Sequence, residues 1–226
     1  WIDVFGERII MQLPDEMGLY PGNSNTHKAG FSYLMLFKDG NRIDLTLFPV
    51  NKVNKDYSPE SLSIVWLDKD GMFTGIKPPS DKAHHITKPT AKLFADTCNE
   101  FWWVCTYAAK GLARGEITYA REVTETTIRP MFMRMVDWYI GAETDFSVST
   151  GKGGKFLQKY LSPEIYAKLL KTYPDADIER NKQSLLVMTE LFASLAKHTA
   201  AKLGFKYNSD EESNVMGYLE SVFKGN

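Results

Sequence analysis

The hydrophobic period of this chain changes once, near residue 85, and that change limits the fold more than any other feature. Before it, apolar residues come in continuous or alternating runs bounded by Gly, Pro, Asn and Asp. Residues 30–37 (GFSYLMLF) form a near-continuous apolar run, the pattern of a buried strand. Asp39-Gly40-Asn41 is a turn signal. In residues 42–50 (RIDLTLFPV), Ile43, Leu45 and Leu47 then alternate with Arg42, Asp44, Thr46 and Phe48. Two strand runs across a tight turn predict an antiparallel hairpin. Residues 9–13 and 63–67 are expected as further strands, the second closed by Asp68-Lys69-Asp70-Gly71.

After residue 87 the apolar residues recur at three- and four-residue spacing. Thr87 and Pro89 open a helix over 91–114, and Gly115 ends it. A second helix is expected over 116–140, bent or broken at Pro130. Ser162-Pro163-Glu164 opens a short helix to Tyr173, and further helices are expected over 177–203 and 210–223. Five helices with short connections predict a bundle. The expected fold class is α+β, a small mixed sheet followed by a helical domain. The domains are placed at 1–86 and 87–226, with Pro78-Pro79-Ser80-Asp81 as the extended connection.

Composition removes several classes of function. The 226 residues carry 27 Lys and Arg against 28 Asp and Glu, which gives no electrostatic case for nucleic-acid binding. No apolar run reaches the roughly 18 residues of a membrane span. Trp1-Ile2-Asp3-Val4-Phe5-Gly6 has neither the basic nor the apolar region of a signal peptide. It also lacks an initiator Met, as if the chain began partway into something larger. Cys98 and Cys105 lie two helical turns apart, about 10 Å. That is too far for a disulfide, so both are read as reduced thiols, as in a cytoplasmic protein. His27, His84, His85 and His198 have no zinc-type spacing with Cys or carboxylates.

Asp44 is the most informative single residue. Asp is depleted in strands, and a carboxylate on a sheet face must meet water, a cation or a metal. Either the face is simply solvated at a sheet edge, or Asp44 has a chemical task. Four blocks bear on that choice. They are residues 30–49 (GFSYLMLFKDGNRIDLTLFP), Cys98-Asn99-Glu100-Phe101-Trp102, Lys110-Gly111-Leu112-Ala113-Arg114, and Gly151-Lys152 with Lys155-Phe156. In this order they resemble the aminoglycoside 6-adenylyltransferases, from Trp1 to about residue 205. That family is similar to the DNA polymerase β-like nucleotidyltransferases.

The resemblance implies transfer of AMP from ATP to a hydroxyl of a streptomycin-like antibiotic, with Mg²⁺ holding the triphosphate. It places Asp44 at the superfamily's third carboxylate, beside the metal ligands and helping the attacking hydroxyl. The superfamily's Gly-Ser turn and Asp-x-Asp metal pair are expected upstream of Trp1, roughly 60 residues in all, a domain-sized piece. A polypeptide without them is expected to be inactive. Carboxylates suit this chemistry because they are hard ligands for Mg²⁺ and can accept the hydroxyl proton.

Other candidates have a bland reading beside the functional one. In Ser149-Thr150-Gly151-Lys152-Gly153-Gly154-Lys155 the spacing is not that of a P-loop. Its glycines would let backbone approach a phosphate that Lys152 or Lys155 neutralises, or the loop is merely solvated. Lys110 and Arg114 share a helical face, either against the triphosphate or as a solvated stripe. Glu100 with Trp102 or Trp103 would meet the guanidinium groups of the antibiotic, or the tryptophans fill the bundle core. Asp137 is expected at the surface and Trp138 in the core. Tyr20-Pro21-Gly22-Asn23-Ser24-Asn25 is a loop of generic turn formers. Two further readings stay open: a nucleotidyltransferase for another small molecule such as a lincosamide, and a non-catalytic helical module with a relic sheet.

Overall fold

The computed structural model describes residues 4, 6–13, 30–53 and 59–225. The loop at residues 20–25 and His27 lie outside them. The chain divides into two compact units, Trp1–Ser80 and Asp81–Asn226.

The first unit holds three strands, β1 (Arg8–Gln12), β2 (Phe31–Phe37) and β3 (Arg42–Leu47), in the order β1-β2-β3. Both pairings are antiparallel, so the described sheet is not the mixed one expected. A parallel pair needs a long crossover, whereas β2 and β3 are joined by a four-residue turn. Asp39 closes that turn by accepting the Asn41 backbone N–H at 2.9 Å. Tyr33 pairs with Leu45 and Met35 with Ile43 on the apolar face, where Met35 is buried. Ser32 pairs with Thr46 and Leu34 with Asp44 on the other. The alternation of residues 42–47 therefore sorts Asp44 onto the more polar face.

The expected strand at 63–67 does not form; these residues are irregular, and Trp66 is 93% exposed. β-propensity makes a strand only where a neighbouring strand supplies the hydrogen-bond ladder. Here no described strand pairs with the segment. Instead the Asp68 carboxylate accepts the backbone N–H groups of Met72 and Phe73, at 2.9 and 2.8 Å, and folds the chain back on itself.

The second unit is helical. Helix α1 (Ala91–Ala113) begins where Thr90 Oγ1 accepts the Leu93 N–H at 3.1 Å. It ends at Gly115, whose φ of 77° suits glycine. Helix α2 (Ile117–Val123) runs through a five-residue π turn (Thr124–Ile128) into α3 (Arg129–Glu143). The helix expected over 116–140 is thus interrupted by the π turn that ends two residues before Pro130. Pro130 has no N–H to donate, and the wider turn just before it absorbs the mismatch. A four-residue helix α4 (Leu157–Tyr160), missed in the sequence, precedes α5 (Pro163–Lys171), α6 (Ile178–Leu203) and α7 (Ser209–Lys224). Ser162, Asp177 and Asn208 cap the last three through their side-chain oxygens.

The core lies between α1, α3, α6 and α7. Phe101 stacks on Phe192 with ring centroids 3.6 Å apart, and Trp102 packs edge-on against both. No described helix is long and apolar enough to cross a membrane.

Candidate functional site

Asp44 projects from β3 with about half its side chain exposed. Arg42, two residues earlier and on the same face, holds both its oxygens: Nε donates to Oδ1 and Nη2 to Oδ2, each at 2.8 Å. These bonds hold the Asp44 carboxyl below its ordinary range. A carboxylate so held is a weaker base than a free one, and it is fully ionised at neutral pH. The pair is solvated, so an incoming cation or hydroxyl competes with Arg42 on open terms. Among the described residues no three His, Cys, Asp or Glu side chains converge on a point that would hold a metal. Asp44 alone does not make a magnesium centre.

In the helical unit, the exposed face of α1 carries five of the notable side chains in line. Glu100, Trp103, Tyr107, Lys110 and Arg114 follow at helical spacing, all exposed or half-buried. Trp103 is 59% exposed, whereas Trp102 is 1% exposed and belongs to the core. Of the two tryptophans, Trp103 alone offers a ring to a ligand. Its Nε1 donates to the Tyr107 hydroxyl at 2.7 Å, and the two rings meet at 70°. That bond fixes both rings. Lys110 lies 5.4 Å from the Tyr107 ring centroid.

Past Lys110 the stripe runs into a concavity of about 310 Å³, lined by Tyr107, Lys110, Gly111, Arg114, Glu116 and Tyr119. Gly111 makes its shape possible. A Cβ there would stand 2.9 Å from the Tyr119 ring, so glycine lets α2 close onto α1.

Lys152 and Lys155 sit in a loop of left-handed glycines, Gly151, Gly153 and Gly154, with φ of 74°, 65° and 76°. The loop is pinned from both sides. Phe156 N–H donates to the Thr150 carbonyl at 2.9 Å, and the Thr150 hydroxyl donates to Asp137 Oδ1 at 2.8 Å. Both lysines point into solvent, Lys155 with its ammonium 4.9 Å from the Phe156 ring centroid.

Asp137 was expected at the surface, yet it is half-buried on α3, and burial raises its carboxyl above the ordinary range. A carboxylate kept at that cost beside a lysine loop is a site candidate that sequence reasoning passed over. Its signal was the distance of thirteen residues to Thr150, which only the chain reversal after α3 brings together. Trp138 is in the core, as expected.

The family profile described as streptomycin adenylyltransferase matches residues 1–222. Over 225 residues the chain is 38% identical to an aminoglycoside 6-adenylyltransferase of Bacillus subtilis (strain 168), covering 99% of this chain and 78% of that protein. It is 37% identical over 207 residues to an aminoglycoside 6-adenylyltransferase of Campylobacter jejuni, covering 92% and 70%. A relative of the same description from Staphylococcus aureus is 34% identical, covering 99% and 78%. The crystal structure of an aminoglycoside 6-adenyltransferase from Bacillus subtilis superimposes with a TM-score of 0.57 at 36% identity, covering 99% of this chain and 81% of that one. With a profile match over almost its whole length and relatives well above 30% identity, this chain belongs to the streptomycin adenylyltransferase family.

Proposed function

We propose that this chain acts as an aminoglycoside 6-adenylyltransferase that inactivates a streptomycin-like antibiotic. The observation that carries the reading is the family match across residues 1–222, together with three relatives described by that activity. In the reaction a sugar hydroxyl oxygen bonds to the α-phosphorus of ATP. The bond from that phosphorus to the β-phosphate oxygen breaks, pyrophosphate leaves, and the hydroxyl proton passes to a carboxylate or to water. Mg²⁺ travels with ATP and neutralises the triphosphate. An enzyme that consumes ATP works where ATP is, in the cytoplasm.

The residue roles follow from chemistry. Asp44, released from Arg42, orients the attacking hydroxyl and accepts its proton. Lys110, Lys152 and Lys155 neutralise phosphate charge. Glu100 accepts hydrogen bonds from a guanidinium of the antibiotic while Trp103 offers its face to the cation. The same charge on Glu100 repels phosphate, so the acidic part of the stripe suits the polycation and the basic part the nucleotide. In the domain reading, residues 1–86 belong to the nucleotidyltransferase domain and bring Asp44, while residues 87–226 hold the antibiotic and also lend the phosphate-neutralising lysines.

The test is adenylylation of streptomycin and of lincomycin with ATP, read by mass spectrometry of the product. Streptomycin gaining one AMP is the expected result. Modification of lincomycin alone refutes the substrate, and modification of neither refutes the function. Within an active enzyme, Asp44→Asn lowers turnover by about 10²-fold or more, the usual size of a lost general base. Turnover within a few-fold of the parent removes Asp44 from the reaction.

A further inference from the structure

We propose that the concavity where α1 meets α2 is a polyphosphate site, with Arg114 and Lys110 as its cations and the Tyr107 hydroxyl as a third donor. The proposal rests on the adenylyltransferase reading for its ligand and on the geometry for its place.

Three observations carry it. First, Lys110 and Arg114 line the same cavity of about 310 Å³, four residues apart on one helix face. Among the described residues neither has a carboxylate partner. Two cations left unpaired in a concave place are a ready counter-charge for an anion, and an arginine fork matches phosphate geometry.

Second, the Tyr107 hydroxyl is already occupied as an acceptor by Trp103 Nε1 at 2.7 Å. A phenol has one proton to give, and the described residues show no bond from it. That proton is available to a ligand oxygen.

Third, the charge changes sign along the face. Glu100 lies ten residues before Lys110, about 15 Å along the axis, with Trp103 and Tyr107 between. A polycation is repelled from the Lys110–Arg114 end, so that end selects the anionic substrate. Glu116 is the one carboxylate among the lining residues, set against two cations. It disfavours a bare polyphosphate more than one carrying a divalent cation.

Titration calorimetry with the full chain tests this without turnover. Inorganic pyrophosphate and ATP are each titrated into the parent, Lys110→Met and Arg114→Met, and streptomycin is titrated as the control ligand. Arg114→Met is expected to weaken pyrophosphate and ATP by about 10-fold or more, the loss of one charge-assisted pair. Streptomycin affinity is expected to stay within about twofold. Glu116→Gln is expected to tighten pyrophosphate in metal-free buffer. Weakening of both anions assigns the pocket to the ATP tail; weakening of pyrophosphate alone assigns it to the released product. Parent-like affinity for both anions in both cation variants overturns the proposal. A parent that binds pyrophosphate through Arg114 but adenylylates no antibiotic sinks the functional reading and leaves the pocket standing. Lys110 and Arg114 are exposed, so both variants keep the parent fold, and circular dichroism on each checks this.

Discussion

Arg129 is the charged residue on which the helical unit most depends. It is 7% exposed, and its guanidinium is held from several sides. Nη1 donates to the Thr172 hydroxyl and Nη2 to the Thr172 carbonyl, both at 2.6 Å. Nε donates to Glu125 Oε2 at 3.2 Å, and the group lies 3.9 Å over the Tyr173 ring centroid. Thr172 is fully buried and caps the C-terminus of α5, so one side chain ties α3 to the end of another helix. Arg129→Met keeps the stem and removes every one of these bonds. Breaking a buried charged pair costs about 3–5 kcal/mol. Glu125 is one-third exposed and can rehydrate, which puts the loss at the lower end, about 3 kcal/mol. At about 2–4 °C per kcal/mol for a protein of this size, the melting temperature should fall by roughly 6–12 °C. Scanning calorimetry reads the shift. The reference is Arg180→Met, whose exposed pair with Asp175 should move it by less than about 2 °C. If Arg129→Met melts no lower than Arg180→Met, the reasoning from burial is wrong.

The remaining predictions are briefer. Burial pushes the Cys98 thiol up to about 12 and Cys105 higher still, so both should resist a thiol reagent at pH 8 until the chain is unfolded. Rapid labelling of native protein contradicts this. The Asp137 carboxyl is raised by burial, so above its unfolded value of 3.8 the folded state binds the proton more tightly. Stability should fall as pH rises from there through the raised folded value. Asp137→Asn keeps an acceptor for Thr150 and should flatten that slope, while an unchanged slope places the titration elsewhere. Trp103→Ala should weaken streptomycin binding and spare the fold, whereas Trp102→Ala should cost about 3–5 kcal/mol of stability. Equal melting temperatures for the two would contradict the assignment of faces.

Much of this molecule is written locally. The turn at Asp39-Gly40-Asn41 and the alternation through residues 42–47 define a hairpin because each signal acts within a few residues. Ser162 and Asp177 start helices through their own side chains, as does Thr90 where Thr87 was expected, and Gly115 and Gly204 stop them with left-handed backbone. The sequence reading left Trp102 and Trp103 as alternatives, and burial separates them. Residues 94, 98, 101, 102, 105 and 108 repeat at helical spacing as the buried stripe, and residue 103 lies off it. The grip of Arg42 on Asp44 follows from their placement two apart on one strand face.

What the sequence alone could not decide depends on partners distant along the chain. Residues 63–67 have the composition of a strand, but no described neighbour offers a ladder. Asp137 has the composition of a surface residue, but the return of the chain after α3 lays Thr150 on it. Lys110 and Arg114 read as a charged stripe in the sequence, and α2, folding back at Gly115 and resting on Gly111, sets them at the rim of an open concavity. Local signals determine which elements form and which face each one shows. Burial, and with it the charge state and chemical availability of a side chain, is set by whatever the fold brings against that face from elsewhere in the chain.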